Sequence, residues 1–231
     1  MKVCVAAGEA LAESISNLWH ERSGIRIVDG IGGTEMMHIF ISAAAGAIRP
    51  GSTGKPVPGY EVELFDDRSQ PIQGPGMGRL GVRGPTGCRY LSDSRQHDFV
   101  KNGWNMTGDL YRRDAEGYYW YVSRADDMIV SGGYNIAGPE IEVALSEHPA
   151  VQECAVIGWP DGQRGQIVKA FVVAKPGVQT GPELTQILQE HVKRTLAPYK
   201  YPRAVEFVES LPKTASGKLQ RSALRPKLDA R

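Results

Sequence analysis

The chain has 231 residues, 41% of them hydrophobic and 23% charged, a composition that excludes a disordered or fibrous chain and allows one or two packed domains. Lys and Arg number 27 against 26 Asp and Glu, so a net charge of +1 supplies no field to gather nucleic acid or an anionic membrane, and any bound anion has to be held locally. The three cysteines, Cys4, Cys88 and Cys154, lie far apart and fit neither a disulfide framework nor a metal cluster; with no signal peptide or membrane span in sight, they read as reduced thiols of a cytoplasmic protein.

Residues 3–7 form a short apolar strand that ends in Gly8-Glu9. Leu11, Ile15, Leu18, Trp19 and Arg22 then follow helical spacing until Gly24 offers a C-cap, and residues 25–28 make the next strand. Strand, helix and strand in about thirty residues is a parallel βαβ unit, which is normally buried on both faces inside a larger sheet. Short strands between Gly and Pro turns follow at 60–65, 79–83 and 118–122, predicting a small antiparallel barrel or sheet. From about Arg124 the pattern changes to helix 139–148, strands 151–157 and 167–174, helix 182–196 and strand 205–208, a compact α+β unit. In its second helix Leu184, Ile187, Leu188, Val192 and Leu196 line one face, the stripe of a core-packing helix. The fold class is thus α/β plus α+β, with one domain over 1–124 and a second over 125–231.

Ligands of an open sheet bind beyond the carboxyl ends of its parallel strands, where Gly8-Glu9 and Gly32-Gly33-Thr34-Glu35 fall. The second cluster combines small residues, which let a backbone approach phosphate, with a hydroxyl and a carboxylate able to hold Mg²⁺; read alone, such a run is more often a simple turn. Thr107-Gly108-Asp109 supplies a carboxylate that could accept both hydroxyls of a ribose, and Arg124 a guanidinium for a phosphate. Singly, each reads as a turn or an exposed ion pair. A Gly-rich loop, Ser131-Gly132-Gly133-Tyr134-Asn135-Ile136, leads into the helix that begins near Pro139. Near the C-terminus, Pro212-Lys213-Thr214-Ala215-Ser216-Gly217-Lys218-Leu219-Gln220-Arg221 places Lys218 among small residues, as in a mobile loop that delivers an ammonium to an anion. Gly51-Ser52-Thr53-Gly54-Lys55-Pro56 is rejected as a phosphate loop, since Pro56 stands where Ser or Thr is needed and the four-residue spacer is missing.

In this order and spacing, the motifs resemble the superfamily of acyl- and aryl-CoA synthetases, adenylation domains and luciferases, over the whole chain. The resemblance implies that Thr34 touches the α-phosphate of ATP, Glu35 ligates Mg²⁺, and Gly8, Glu9, Gly32 and Gly33 line the nucleotide site. It likewise implies that Asp109 binds the ribose and Arg124 ribose or phosphate, while Lys218 bridges the substrate carboxylate and the α-phosphate. Asp126 looks like the hinge of a mobile C-terminal domain, and Gly132, Gly133 and Tyr134 resemble the lining of the channel for the pantetheine of coenzyme A. The run from Asp29 to Phe40 is most similar to benzoate-CoA and 2-aminobenzoate-CoA ligases, which places His38 near an aryl pocket and implies a role in aromatic degradation. Ile31 departs from the family by standing where many relatives carry an aromatic residue beside the adenine, and Ser123 replaces the commoner Gly before Arg124.

The family's Ser/Thr/Gly-rich phosphate loop lies upstream of anything present, so the chain resembles only the last part of such an enzyme, with the missing N-terminal part as its natural partner. Two other readings stay open: an adenylation domain that loads a carrier protein, and a non-catalytic fragment or binding module.

Overall fold

The computed structural model describes residues 2–87 and 89–226, and its contacts divide the chain into two units, Met1–Ala125 and Asp126–Arg231. In the first unit, β1 (Cys4–Ala7), α1 (Glu13–Ser23) and β2 (Ile27–Gly33) build the expected βαβ unit, with Cys4 paired in parallel to Ile27 and Ala7 to Gly30. Gly24 ends α1 at φ 71°, a left-handed conformation that glycine adopts without strain, and its N–H donates to the His20 carbonyl. β2 runs through the glycine cluster, further than the apolar residues 25–28 indicated. β3 (His38–Ser42) folds back onto it so closely that a Cβ on Gly32 would stand 2.6 Å from the His38 carbonyl oxygen. β4 (Lys55–Pro56) completes a sheet of order β1-β2-β3-β4.

Next come β5 (Glu61–Phe65), β6 (Gly76–Arg83), α2 (Arg95–Phe99), β7 (Val100–Lys101), β8 (Trp104–Arg113) and β9 (Tyr119–Arg124). They give an antiparallel sheet, β5-β6-β8-β7 with β9 paired to β8. The sequence pattern missed β8, its longest strand. β8 buries Asn105, Asp109 and Tyr111 on one face, and polar residues at two of those positions erase the apolar alternation that announces a strand. The core of the unit joins Met36, Phe40 and Ile41 to Leu64, Leu80, Val82, Tyr111 and Tyr119, each worth roughly 1.5–3 kcal/mol of burial. The segment from Gly51 to Pro56 is a turn, with the amides of Ser52, Thr53 and Gly54 bonded to Arg49, Tyr119 and Ser52, respectively.

The second unit contains β10 (Ile129–Ser131), β11 (Tyr134–Ile136), α3 (Gly138–Ser146), β12 (Val151–Asp161), β13 (Gly165–Ala174), α4 (Pro182–Thr195), β14 (Ala204–Phe207) and α5 (Arg221–Leu224). Its sheet has the order β11-β10-β13-β12, with β14 parallel to β13. Alternation along β12 and β13 serves two layers. Val156, Val168, Ala170 and Val172 meet Ile141, Leu145, Leu184, Leu188 and Val192 of α3 and α4, whereas Ala155, Ile157, Phe171 and Val173 form a second cluster with Leu211. Ile187 departs from the expected stripe: it is 42% exposed, because α4 buries the i, i+4, i+8 line of Leu184, Leu188 and Val192 and turns the i+3 position aside. Cys4 and Cys154 are free thiols, with burial pushing Cys154 up to about 12, and Cys88 lies outside the described residues. Among the described residues no helix is long and apolar enough to cross a membrane.

Candidate functional site

In the first unit the Gly-Gly-Thr-Glu segment is the link from β2 to β3. The amides of Met36 and Met37 both donate to the Gly33 carbonyl, at 3.0 and 2.9 Å, which closes a tight turn with Thr34 and Glu35 at its tip. Met36 plugs the core at 1% exposure and so fixes the base of the turn; Thr34 points into solvent, and Glu35 is half-buried. Gly32 owes its size to the approach of β3. Gly33 instead leaves space beside the carboxylate, since its Cβ would lie 3.5 Å from Glu35 Oε2. Tyr90 Oη donates to Glu35 Oε1 at 2.6 Å, a charge-assisted bond that orients the carboxylate from 55 residues away. No periodicity or spacing links those two positions, so sequence reasoning had no signal for Tyr90.

Asp109 and Arg124 are direct partners across β8 and β9. Asp109 is buried, and Arg124 Nη1 lies 3.3 Å from its Oδ1 while also donating to the Thr107 carbonyl at 3.1 Å. Gly108 makes this possible twice over: it sits at φ 80°, and a Cβ there would come within 2.7 Å of the Arg124 guanidinium. Two residues beyond Asp109, buried Tyr111 bonds Thr53 Oγ1, and its phenol is pushed upward first by burial and then by the charges of Asp109 and Asp29. Asp29 therefore belongs to the same polar group. Its carboxyl is raised from 3.8 to about 6, because burial outweighs the hydrogen bond from the Gly30 amide. Although it opens the Asp29–Phe40 run, Asp29 was not among the candidates read from the sequence.

His38, Gly8 and Glu9 are exposed. His38 is exposed, its Nδ1 lies 2.6 Å from the Ile39 carbonyl oxygen, and its ring lies parallel to Tyr60 at 6.1 Å. Gly8 takes φ 101° in the exposed bend after β1, with exposed Glu9 next to it.

The remaining candidates lie in the second unit. Gly132 and Gly133, at φ 55° and 85°, form a two-residue hairpin turn between β10 and β11, so the expected loop is a rigid hairpin. Tyr134 follows the turn and stacks on Tyr199 at 4.3 Å, an exposed aromatic pair whose second member sequence reasoning missed. Asp126 occupies a short 3-10 turn, Ala125–Asp127. Lys218 is exposed on a second hairpin, not on a loose loop. Thr214 N donates to the Lys218 carbonyl at 2.8 Å, Gly217 N to the Thr214 carbonyl at 2.9 Å, and Lys218 N to Thr214 Oγ1 at 3.1 Å.

A mixed sheet ending in a Gly-Gly-Thr-Glu turn, an antiparallel sheet presenting an Asp–Arg pair, and an α+β unit closing on a lysine hairpin are the marks of one class, the AMP-binding enzymes. The chain belongs to that family: the AMP-binding enzyme family matches residues 1–90 and the AMP-binding enzyme C-terminal domain residues 140–218. Over 228 residues it is 46% identical to a benzoate–CoA ligase of Thauera aromatica, covering 97% of this chain and 43% of that protein. It is 41% identical over 236 residues to the human mitochondrial acyl-coenzyme A synthetase ACSM3, covering 98% of this chain and 40% of the relative. The crystal structure of the anthranilate CoA ligase AuaEII in complex with anthranoyl-AMP superposes with a TM-score of 0.89 at 44% identity, over 97% of this chain and 44% of that one. The chain thus spans about two-fifths of the length of the curated relatives it matches.

Proposed function

We propose that this chain is the C-terminal part of an ATP-dependent, AMP-forming acid–CoA ligase that acts on benzoate- or 2-aminobenzoate-type acids. The observation that carries this reading is 46% identity to a benzoate–CoA ligase over 97% of the chain. In the first step a carboxylate oxygen of the acid attacks the α-phosphorus of ATP and pyrophosphate leaves; in the second, the CoA thiol attacks the acyl carbonyl, AMP leaves, and the thiol proton passes to solvent. The Thr34 hydroxyl, exposed at the tip of its turn, donates to an α-phosphate oxygen. Asp109 accepts from the ribose hydroxyls, and Arg124, which already holds that carboxylate, keeps it aimed. Lys218 brings a single ammonium to the charge gathering between acid and phosphate. Gly132, Gly133 and Tyr134 line the path of the pantetheine, and Asp126 is the hinge between the two steps.

Among the described residues no three His, Cys, Asp or Glu side chains gather as a metal site. Glu35 is a lone carboxylate held outward by Tyr90, which fits an ion bound mostly through phosphate oxygens and water, as Mg²⁺ is. When bound, Mg²⁺ would neutralise phosphate charge as a Lewis acid.

The test is kcat/KM of the intact enzyme for benzoate, 2-aminobenzoate and octanoate, with free CoA and with a carrier protein as thiol. Aromatic acids favoured with free CoA are the expected result. Preference for octanoate overturns the aromatic assignment, and transfer to a carrier protein alone overturns the CoA assignment.

A further inference from the structure

Among the ties that hold the segment carrying Lys218 to its unit are two arginines, four residues apart. At the first, Arg221 Nη2 donates to both carboxylate oxygens of Glu142 on α3, at 2.9 and 2.6 Å, and Glu142 Oε1 also accepts from the Val156 amide at 2.7 Å. At the second, Arg225 Nη2 donates to the Asp126 carbonyl oxygen at 2.9 Å and to Asp127 Oδ1 at 2.7 Å. Between the two lies α5, whose Leu224 packs with Leu219 against the Ile157–Phe171 cluster. From the Lys218 hairpin to Arg225 the chain is one braced strip, and its far end grips the turn that holds Asp126.

The grip falls at a telling place. Rotation about φ or ψ of Asp126 turns everything upstream of its carbonyl group against everything downstream. The carbonyl oxygen belongs to the downstream peptide plane, and Arg225 fastens that plane, together with the Asp127 side chain, to the second unit. We propose that Arg225 is a positioning residue that sets the downstream limit of the hinge, confining rotation to the two dihedrals of Asp126 and holding Lys218 in fixed register with the hinge axis. This rests on the reading of Asp126 as hinge and Lys218 as the adenylation lysine. It adds a residue that touches neither substrate nor reacting atoms, and a reason for the arginine seven positions beyond the lysine.

The contact is partly exposed, with side-chain exposures of 44% for Arg225 and 18% for Asp127, so its loss should act locally and leave the fold intact. In the 231-residue chain, Arg225→Ala should speed amide hydrogen exchange at Asp127 and Met128 by about fivefold, with β12 and β13 unchanged. Arg225→Lys, which keeps one charged donor without the fork, should fall between it and the wild type. In the intact enzyme, Arg225→Ala should change the ratio of thioester formation to ATP–pyrophosphate exchange while leaving KM for ATP near its wild-type value. Unchanged exchange at Asp127 and Met128 overturns the clamp. Faster exchange with both half-reactions lowered alike overturns the coupling and leaves a merely structural bond. An intact wild-type enzyme that forms no acyl-CoA would instead count against the proposed function, and the exchange measurement on the chain would still decide the clamp.

Discussion

At the scale of single residues, Lys218 and Asp29 show two ways in which a charge is made useful. Lys218 is exposed, and the bonds of its hairpin hold its backbone, so its ammonium is free to meet an anion without disturbing the fold. Losing one preorganised donor of this kind costs about 10²–10³ in rate, so Lys218→Ala in the intact enzyme should lower acid-dependent ATP–pyrophosphate exchange by at least that factor. Thioester formation from a supplied acyl adenylate should change far less; an equal loss in both steps would remove the lysine from its assigned role. Asp29 is different, because burial raises its carboxyl to about 6 from an ordinary 3.8. A group whose folded value is raised contributes its stability in full below the unfolded value and loses it as pH rises through the folded one. Asp29→Asn should therefore gain Tm relative to the wild type as pH rises from about 4 to about 7. A constant Tm difference across that window would show that burial does not hold the proton.

The elements read from the sequence announce themselves through apolar periodicity, whereas β3 (His38–Ser42) went unread despite its buried Phe40 and Ile41, and β8 hides behind polar side chains that face inward. The βαβ start, α3, α4 and the β12–β13 pair were legible because Leu, Ile and Val recur at the periods those elements demand. β8 was not, since Asn105 and Asp109 are buried on it, polar residues where a strand usually buries apolar ones. The motifs within it were legible as chemistry but not as geometry: nothing in Thr107-Gly108-Asp109 says that Gly108 sits at φ 80° inside a strand, under the Arg124 guanidinium. Gly108→Ala tests that geometry. The left-handed backbone and the 2.7 Å approach should together cost about 1–3 kcal/mol, and the displaced Arg124 should weaken ATP binding. Thermal unfolding of the chain and KM for ATP in the intact enzyme measure the two effects, and an alanine that leaves both unaltered would show that the pair tolerates a wider spacing.

For the whole molecule, what is present has to be weighed against what catalysis requires. Cradling a triphosphate takes several backbone amides directed at one point, as in a glycine-rich loop at a helix N-terminus. The segment that most looks like such a loop, from Gly51 to Pro56, has bonded the amides of Ser52, Thr53 and Gly54 within the protein, which leaves them nothing to offer a phosphate. What the two units do supply is a buried carboxylate held by an arginine, a carboxylate bonded by Tyr90 beside an exposed hydroxyl, and an exposed hairpin lysine, each suited to orient or neutralise rather than to retain ATP unaided. The exposed apolar side chains of β1 and α1, with Val5 at 60%, Ile15 at 54% and Leu18 at 44%, point the same way. A parallel pair is ordinarily covered on both faces, whereas these side chains of β1 and α1 stand open to solvent. The purified 231-residue chain should accordingly show no acid-dependent exchange of pyrophosphate into ATP, with or without Lys218→Ala. Mixing it with a polypeptide that supplies the rest of an aryl-CoA ligase's adenylation domain should cover that face, restore exchange, and make it depend on Lys218. Exchange by the chain alone would mean that the residues described above hold ATP without a phosphate loop, and the division of labour proposed for the two parts would fall.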